Sequence, residues 1–300
     1  MTNTTPQGTE MTETDYPALY LAANASSKSG QQRFLAMLIC EYCLLVLAAV
    51  LSMNLSNSVT YNVAGAAVFF ILLTLLLVRS LMSLDRDWYN GRAIAESIKT
   101  LAWKFMMQAP PFSIGQGAAS AEVVFVKLLH QILNSNKELG KIFRGQIEAG
   151  DQITEKMKTI RAESLENRKA FYGEKRIDDQ LGWYAKKAKW NGRRFVLFIA
   201  LLCIVYTIAG ISALIKIRYP DFAFYPTEPL IAVAGGIIGW IQIKRFNELS
   251  AAYTLTAHEI SLTKATSGSA DTEEKFAEHV NDAELAFSRE HTQWIARQAG

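Results

Sequence analysis

Long apolar runs alternate with densely charged stretches along this chain, and the two kinds of segment predict different surroundings. Four runs stand out: Leu35–Met53, Val63–Val78, Phe195–Ile215 and Pro229–Ile243. The first holds 19 residues and the third 21. At about 1.5 Å of rise per helical residue these reach roughly 28–32 Å, the thickness of a bilayer's hydrocarbon layer. Their partners hold 16 and 15 residues. Ser80–Leu84 behind a snorkelling Arg79, and Phe222–Tyr225 ahead of Pro226, extend or anchor these shorter runs at the interface. The long runs are apolar all round and leave no polar face for water, which argues against buried hairpins in a soluble helical protein. The expected fold class is an all-α membrane protein, with four transmembrane helices as two hairpins and long cytosolic helices.

Basic residues set the orientation. The loop Asn54–Asn62 carries no charge, whereas the opposite ends of the runs carry Lys28 and Arg33, then Arg79, Arg86 and Arg92, then Lys186, Lys187, Lys189, Arg193 and Arg194, then Lys244 and Arg245. Basic residues stay on the cytosolic side, so both termini and the central region are expected there, in an inner (cell) membrane. The second short loop mixes Lys216 and Arg218 with Asp221 and Glu228, which weakens the bias locally without reversing it. The polar, Thr/Ser/Asn-rich start lacks the early, short apolar core of a secretory signal, so the first run reads as an uncleaved span behind a loosely ordered tail.

The charged stretches read as helices almost throughout, with no strand signal. Leu84–Gln108 places Trp88, Arg92, Glu96, Lys99 and Trp103 near one face, and Pro110-Pro111 ends it because a residue before proline avoids helical angles. Ser113–Ala119 is a Gly/Ala/Ser linker. Phe125, Leu129 and Ile132 mark an amphipathic helix from about Ser120 to Asn136. Asp151 is then expected to cap one long basic helix, whose Ile153, Met157, Ile160, Ser164, Asn167 and Phe171 form a coiled-coil-like seam. Lys141–Arg194 holds 14 basic and 8 acidic residues. A solvated helix whose positive end meets anionic headgroups is the plain reading, and a dedicated anionic-ligand site the sharper one. Phe246, Leu249, Tyr253, Thr256 and Ile260 continue a helix beyond the last run, and Ser267-Gly268-Ser269 breaks it. The final helix sets Phe276, Val280, Ala283, Phe287 and Trp294 on one face, so it should dock on another helix.

Composition alone conceals this pattern, because 50% hydrophobic residues and a mean hydropathy of +0.09 lie only slightly above soluble values. A net charge of +3 with no basic-aromatic signature argues against nucleic acid as a partner. Cys40, Cys43 and Cys203 all lie inside apolar runs, so neither a disulfide framework nor a zinc site is indicated, although Cys40 and Cys43 match C-x-x-C. His130, His258, His279 and His291 show no metal spacing. There is no P-loop and no G-x-G-x-x-G, and no nucleophile-base constellation, so neither an enzyme nor a cofactor is expected.

Two features inside the runs are candidates for function. Glu41 is ionisable within a span, where a charge is costly unless it faces protein, water or a cation. About 9 Å from the start of its run, it either snorkels or pairs with Arg33, or lines an ion path. Gly235, Gly236 and Gly239 offer a small surface for close helix approach, either to the Gly210 and Ala213 region of the third run or to another subunit.

The segment Arg168-x3-Tyr172-x3-Arg176-Ile177-x2-Gln180-x2-Trp183-Tyr184-x3-Ala188 runs into an apolar hairpin and is followed by Glu284-x5-Glu290-His291-x2-Trp294. This pattern resembles the SLATT family, bacterial two-span effector domains that associate with SMODS nucleotidyltransferases or SLOG nucleotide sensors. The first half is similar to another SLATT subtype, through Trp88-Tyr89-x2-Arg92-x2-Ala95-Glu96-Ser97, Trp103 and Pro110-Pro111-Phe112. A tandem follows: a disordered tail at 1–15, one two-span module at 16–112, a linker with an amphipathic helix at 113–150, and a second module at 151–298. The resemblance implies an oligomeric pore-forming or membrane-perturbing effector in a nucleotide-signalled, often antiphage, conflict system. Its partners would be the lipid bilayer, copies of itself, and a nucleotide second messenger or sensor protein. The competing expectation is a membrane-anchored scaffold whose cytosolic helices bind a protein or nucleotide.

Overall fold

The computed structural model describes residues 11–53, 55–82, 84–112, 115, 117–135, 150–220 and 224–299, with side chains as far as Phe287. Helix accounts for nearly all of them, and no strand occurs among the described residues. Ahead of the first helix a 3-10 turn, Glu13–Asp15, is tied by Thr12 to Asp15 and by Glu13 to Asn24 and Lys28. Pro17, whose ring suits a helix start, then leads into α1, Ala18–Leu51. Next come α2, Val59–Met82, α3, Leu84–Met106, and α4, Ala118–Ser135.

The long basic helix expected from Asp151 is broken in two. Thr154 caps α5, Glu155–Ala162, by accepting from the Met157 amide, and the chain then leaves helical angles at Glu163. Ser164 starts α6, Leu165–Tyr172, by accepting from the Asn167 amide. A hydroxyl at an N-cap satisfies an amide the helix cannot, so Ser164 begins a new helix where the seam reading continued the old one. A π-helical segment, Gly173–Asp178, follows and turns Arg176 and Ile177 inward together. The chain continues as α7, Asp179–Arg218, 40 residues long, then α8, Thr227–Lys244, α9, Phe246–Thr266, and α10, Glu273–Ala299. Arg245 adopts a left-handed conformation (φ 47°) between α8 and α9, and a 3-10 turn at Ser267–Ser269 separates α9 from α10.

The chain divides into two compact units. One comprises Met1–Gly30, Arg86–Ala185 and Thr254–Gly300, and the other Gln31–Asp85 and Lys186–Tyr253. The first unit holds a dense aromatic core. Phe105 packs on Phe112 and Phe125 at 5.5 and 5.2 Å between ring centroids, and Trp103 on Tyr172 at 5.7 Å. Phe125 and Leu129 thus dock α4, and buried Phe276, Val280, Ala283 and Phe287 dock α10 as their spacing foretold.

Close approach of α1 and α3 is a backbone matter. A Cβ at Gly30 would sit 3.0 Å from the Trp88 amide nitrogen, and one at Gly91 3.2 Å from the Ala23 carbonyl oxygen. Buried Ala22, Ala23, Ser26 and Ser27 complete this small-residue crossing, and the Ser27 hydroxyl donates to the Trp88 carbonyl at 3.0 Å.

The second unit has the opposite character. Among the described residues, three helical stretches are long and apolar enough to cross a membrane: Ala18–Leu51, Val59–Met106 and Leu165–Arg218. Only 11%, 12% and 17% of their most apolar windows is buried within the molecule. Phe70, Val196, Ile208 and Leu214 lie exposed. The fourth run lies in α8, whose apolar content is diluted by Glu228, Gln242 and Lys244, and it is not among the three.

Candidate functional site

In the apolar unit, Glu41 of α1 meets a charge from α2. Arg79 Nη1 lies 3.4 Å from Glu41 Oε2, with the side chains 29% and 18% exposed. The partner is therefore Arg79 in the last turn of α2, not the sequence neighbour Arg33. Arg79 directly follows the run Val63–Val78 and Glu41 lies six residues into the run from Leu35, so the pair joins α1 to α2 near the charged ends of both runs.

On the glycine surface of α8 the contact within the chain comes from α1. Gly236 and Gly239 receive Tyr42 of α1: a Cβ at Gly236 would lie 3.7 Å from Tyr42 Cβ, and one at Gly239 3.0 Å from the ring Cζ. Gly235 and Gly210 face open space. Gly236 and Gly239 therefore admit a phenol ring of α1, where the third run or another subunit was expected. Within α7, Gly192 approaches Ser250 of α9, whose hydroxyl donates to the Ala188 carbonyl at 2.9 Å. Here the glycine and the accepting carbonyl share α7 and the serine lies on α9, whereas Gly30 and Ser27 share α1 and the accepting Trp88 lies on α3.

The helical unit centres on a buried ion pair. Arg176, presented by the π-helical segment, is 2% exposed, and Glu284 of α10 is 0% exposed. Arg176 Nε and Nη2 donate to the two carboxylate oxygens at 2.8 and 2.7 Å, a bidentate fork. Tyr172 and Thr100 hydroxyls donate to the same carboxylate at 3.1 and 3.0 Å. Burial works against the Arg176 charge, but the Glu284 carboxylate more than reverses it and holds the guanidinium above its usual range. The guanidinium also lies over the Phe287 ring at 4.9 Å and the Trp103 ring at 5.8 Å, where cation–π attraction adds to its fixation.

Two more buried arginines finish the C-terminal end of α3, where carbonyls lose their helical partners. Arg161 donates to the Phe105 carbonyl at 2.5 Å, and Arg168 to the Met107 carbonyl at 3.0 Å. Arg168 also pairs with Glu273 of α10. Gln108, left-handed at φ 56°, donates to the Arg161 carbonyl at 2.9 Å. Cations suit a helix C-terminus for the same reason anions suit its start. The basic run is therefore not simply a solvated face: Arg161, Arg168 and Arg176 are interior, held by carbonyls and carboxylates. Reasoning on net charge missed them, along with Tyr16, Thr100 and Glu273. The spacing of Arg168, Tyr172 and Arg176 at successive helical turns, beside aromatic residues, was the signal present.

Around this pair, titration is displaced. Burial raises the Tyr16 and Tyr172 phenols above their usual range and pushes Tyr20 up to about 12. Burial lowers Lys99, with Glu96 opposing, and lowers His279. Trp103 Nε1 donates to the Tyr16 hydroxyl at 3.0 Å.

The remaining signature residues serve packing and local pairing. Trp88 stacks on Tyr89 at 4.7 Å, Arg92 pairs with Glu96 at 2.6 Å one turn on, and Trp183 meets Tyr184 edge-on at 4.9 Å. Gln180 is half-buried on α7. Glu290, His291 and Trp294 fall on α10, with side chains outside the described residues. No group of metal-ligating side chains occurs among the described residues.

Residues 17–169 match the family model of SMODS and SLOG-associating 2TM effector domain 3, and residues 172–294 that of SMODS and SLOG-associating 2TM effector domain 1. No curated protein and no solved structure matches the chain.

Proposed function

The chain belongs to the SLATT family, two subtypes of which it carries in tandem, and from that premise we propose that it is an oligomeric pore-forming or membrane-perturbing effector. SLATT domains are membrane effector domains of SMODS and SLOG conflict systems. In this reading Leu35–Met53 with Val63–Val78, and Phe195–Ile215 with Pro229–Ile243, form two hairpins in the inner membrane. Both termini and the central helices face the cytosol. A nucleotide second messenger or a sensor protein supplies the signal, and the response serves antiphage defence.

The observation that carries the proposal is the low burial of the apolar windows, 11%, 12% and 17% within one chain. Lipid or further copies must cover that surface. Four spans enclose little water by themselves, so a conducting path requires several chains. Glu41 is the candidate lining residue, its charge balanced by Arg79 in the resting chain.

Ion release from liposomes tests this directly. The wild-type chain should release ions, and Glu41→Gln, which keeps the shape and removes the charge, should reduce the preference for cations while inserting normally. A membrane-anchored scaffold would release nothing in either form. Identical selectivity in both forms would retire Glu41 as a lining residue.

A further inference from the structure

Within the apolar unit lies a groove of about 710 Å³ between α1, α7, α8 and the start of α9. Its walls are apolar, with Val46 of α1, Phe198 of α7 and Val233 and Ile237 of α8 among them, and Tyr42 is at its side. Two cations lie at one end: Arg194, at the start of the third apolar run, and Lys244, at the close of the fourth. Each rests on a tryptophan of its own helix, Arg194 over Trp190 at 5.1 Å and Lys244 over Trp240 at 5.2 Å. Neither is paired with a carboxylate among the described residues.

Length and chemistry select the occupant. From Val233 to Lys244 the wall rises eleven residues, about 16 Å, half of a hydrocarbon layer of roughly 30 Å. That is the depth of one leaflet. An apolar slot of this depth does not hold water well, and tryptophans with basic residues mark the headgroup level. We propose that the groove is a binding site for one anionic phospholipid. An acyl chain would lie along Val46, Val233 and Ile237, with the phosphate between Arg194 and Lys244. The site depends on membrane insertion but not on conduction. A chain that releases no ions yet retains the lipid would sink the pore and leave this site standing.

The full-length chain, extracted from nanodiscs of phosphatidylcholine with phosphatidylglycerol, is assayed for retained lipid by native mass spectrometry. Wild type should retain phosphatidylglycerol over phosphatidylcholine by about thirtyfold, roughly fivefold for each basic residue. R194Q/K244Q should approach parity while keeping wild-type size and thermal unfolding in pure phosphatidylcholine. Ile237→Trp, which fills the slot, should lose retained lipid of both kinds. Soluble glycerol phosphate should not displace the lipid, because the acyl chain supplies the apolar contact. Equal retention of the two lipids by wild type, or an unchanged preference in R194Q/K244Q, would overturn the proposal. So would oxidative cross-linking of two chains through Cys43, which lines the groove, because it would put a second copy there instead.

Discussion

Exchanging Glu284 for glutamine removes one charge from the centre of the helical unit and almost no volume. The carboxylate accepts four hydrogen bonds, at 2.8 and 2.7 Å from Arg176, 3.1 Å from Tyr172 and 3.0 Å from Thr100. All four partners are donors, so the amide nitrogen of glutamine would face donors in place of an acceptor. The guanidinium would also remain buried without its counter-charge. Removing one member of a buried pair costs about 3–5 kcal/mol. With Glu284 fully buried, no solvent screening reduces the figure. For a domain of this size that corresponds to a fall in Tm of roughly 6–20 °C. Thermal unfolding in mild detergent, followed by tryptophan fluorescence, reads the change, because Trp103 lies beside the Arg176 guanidinium. The double variant R176M/E284L should recover most of the loss, since a well-packed apolar replacement of both partners is often neutral. A single-variant shift under about 2 °C, or a double variant no better than the single, would refute the charge argument.

Gly91→Leu must push α1 and α3 apart, because backbone atoms of Ala23 and Ser27 lie 3.1–3.2 Å from its Cβ position; a loss of at least about 1–3 kcal/mol is expected in the same unfolding assay. Unit stability should also fall in alkali. Tyr16, Tyr20 and Tyr172 hold folded pKa values above the ordinary 10, so their contribution is whole below pH 10 and is lost as pH rises through the folded values, Tyr20's being about 12. Lys99 and Lys104, lowered by burial, act with the opposite sign below their ordinary value of 10.5. The Tm should therefore decline from pH 10 to 12, and Tyr20→Phe should make that decline shallower. For topology, a cysteine introduced at Asn57 should be labelled by an impermeant reagent from outside intact cells and one at exposed Glu155 should not; labelling at Glu155 would overturn the proposed orientation.

Helix positions were largely legible because hydrophobic periodicity is a local signal. Phe125 and Leu129 on α4, and Phe276, Val280 and Phe287 on α10, are buried as their spacing implied. The apolar runs fall inside helices, except that Ser52 and Met53 at the end of the first lie beyond α1. What escaped was pairing over distance. Glu284 lies 108 residues from Arg176, and nothing along the chain ties the two except the shared pattern quoted with the family resemblance. The break at Ser164 escaped for another reason: Ile160, Ser164 and Asn167 keep a seam's spacing, and a serine fits either the seam or a cap. The cap prevailed because it lets Arg161 and Arg168 reach the carbonyls closing α3. The glycines of α8 showed that something large approaches, but not that it is Tyr42.

The tyrosine, tryptophan and arginine cluster has a bearing on how such a gene can change. Tyr16, Thr100 and Trp103 belong to the first matched region or its border, whereas Tyr172, Arg176 and Glu284 belong to the second. The halves share one interior. A polypeptide ending near residue 170 would keep the Trp103–Tyr16 hydrogen bond but lose Phe171, Tyr172 and Arg176 from around the Trp103 ring, and the remainder would carry Arg176 and Glu284 with one wall missing. Each half should therefore be stable only in the company of the other. Recombination that swaps in a foreign copy of either half would have to bring matching aromatic and hydroxyl neighbours with it, so lineages should exchange this protein whole.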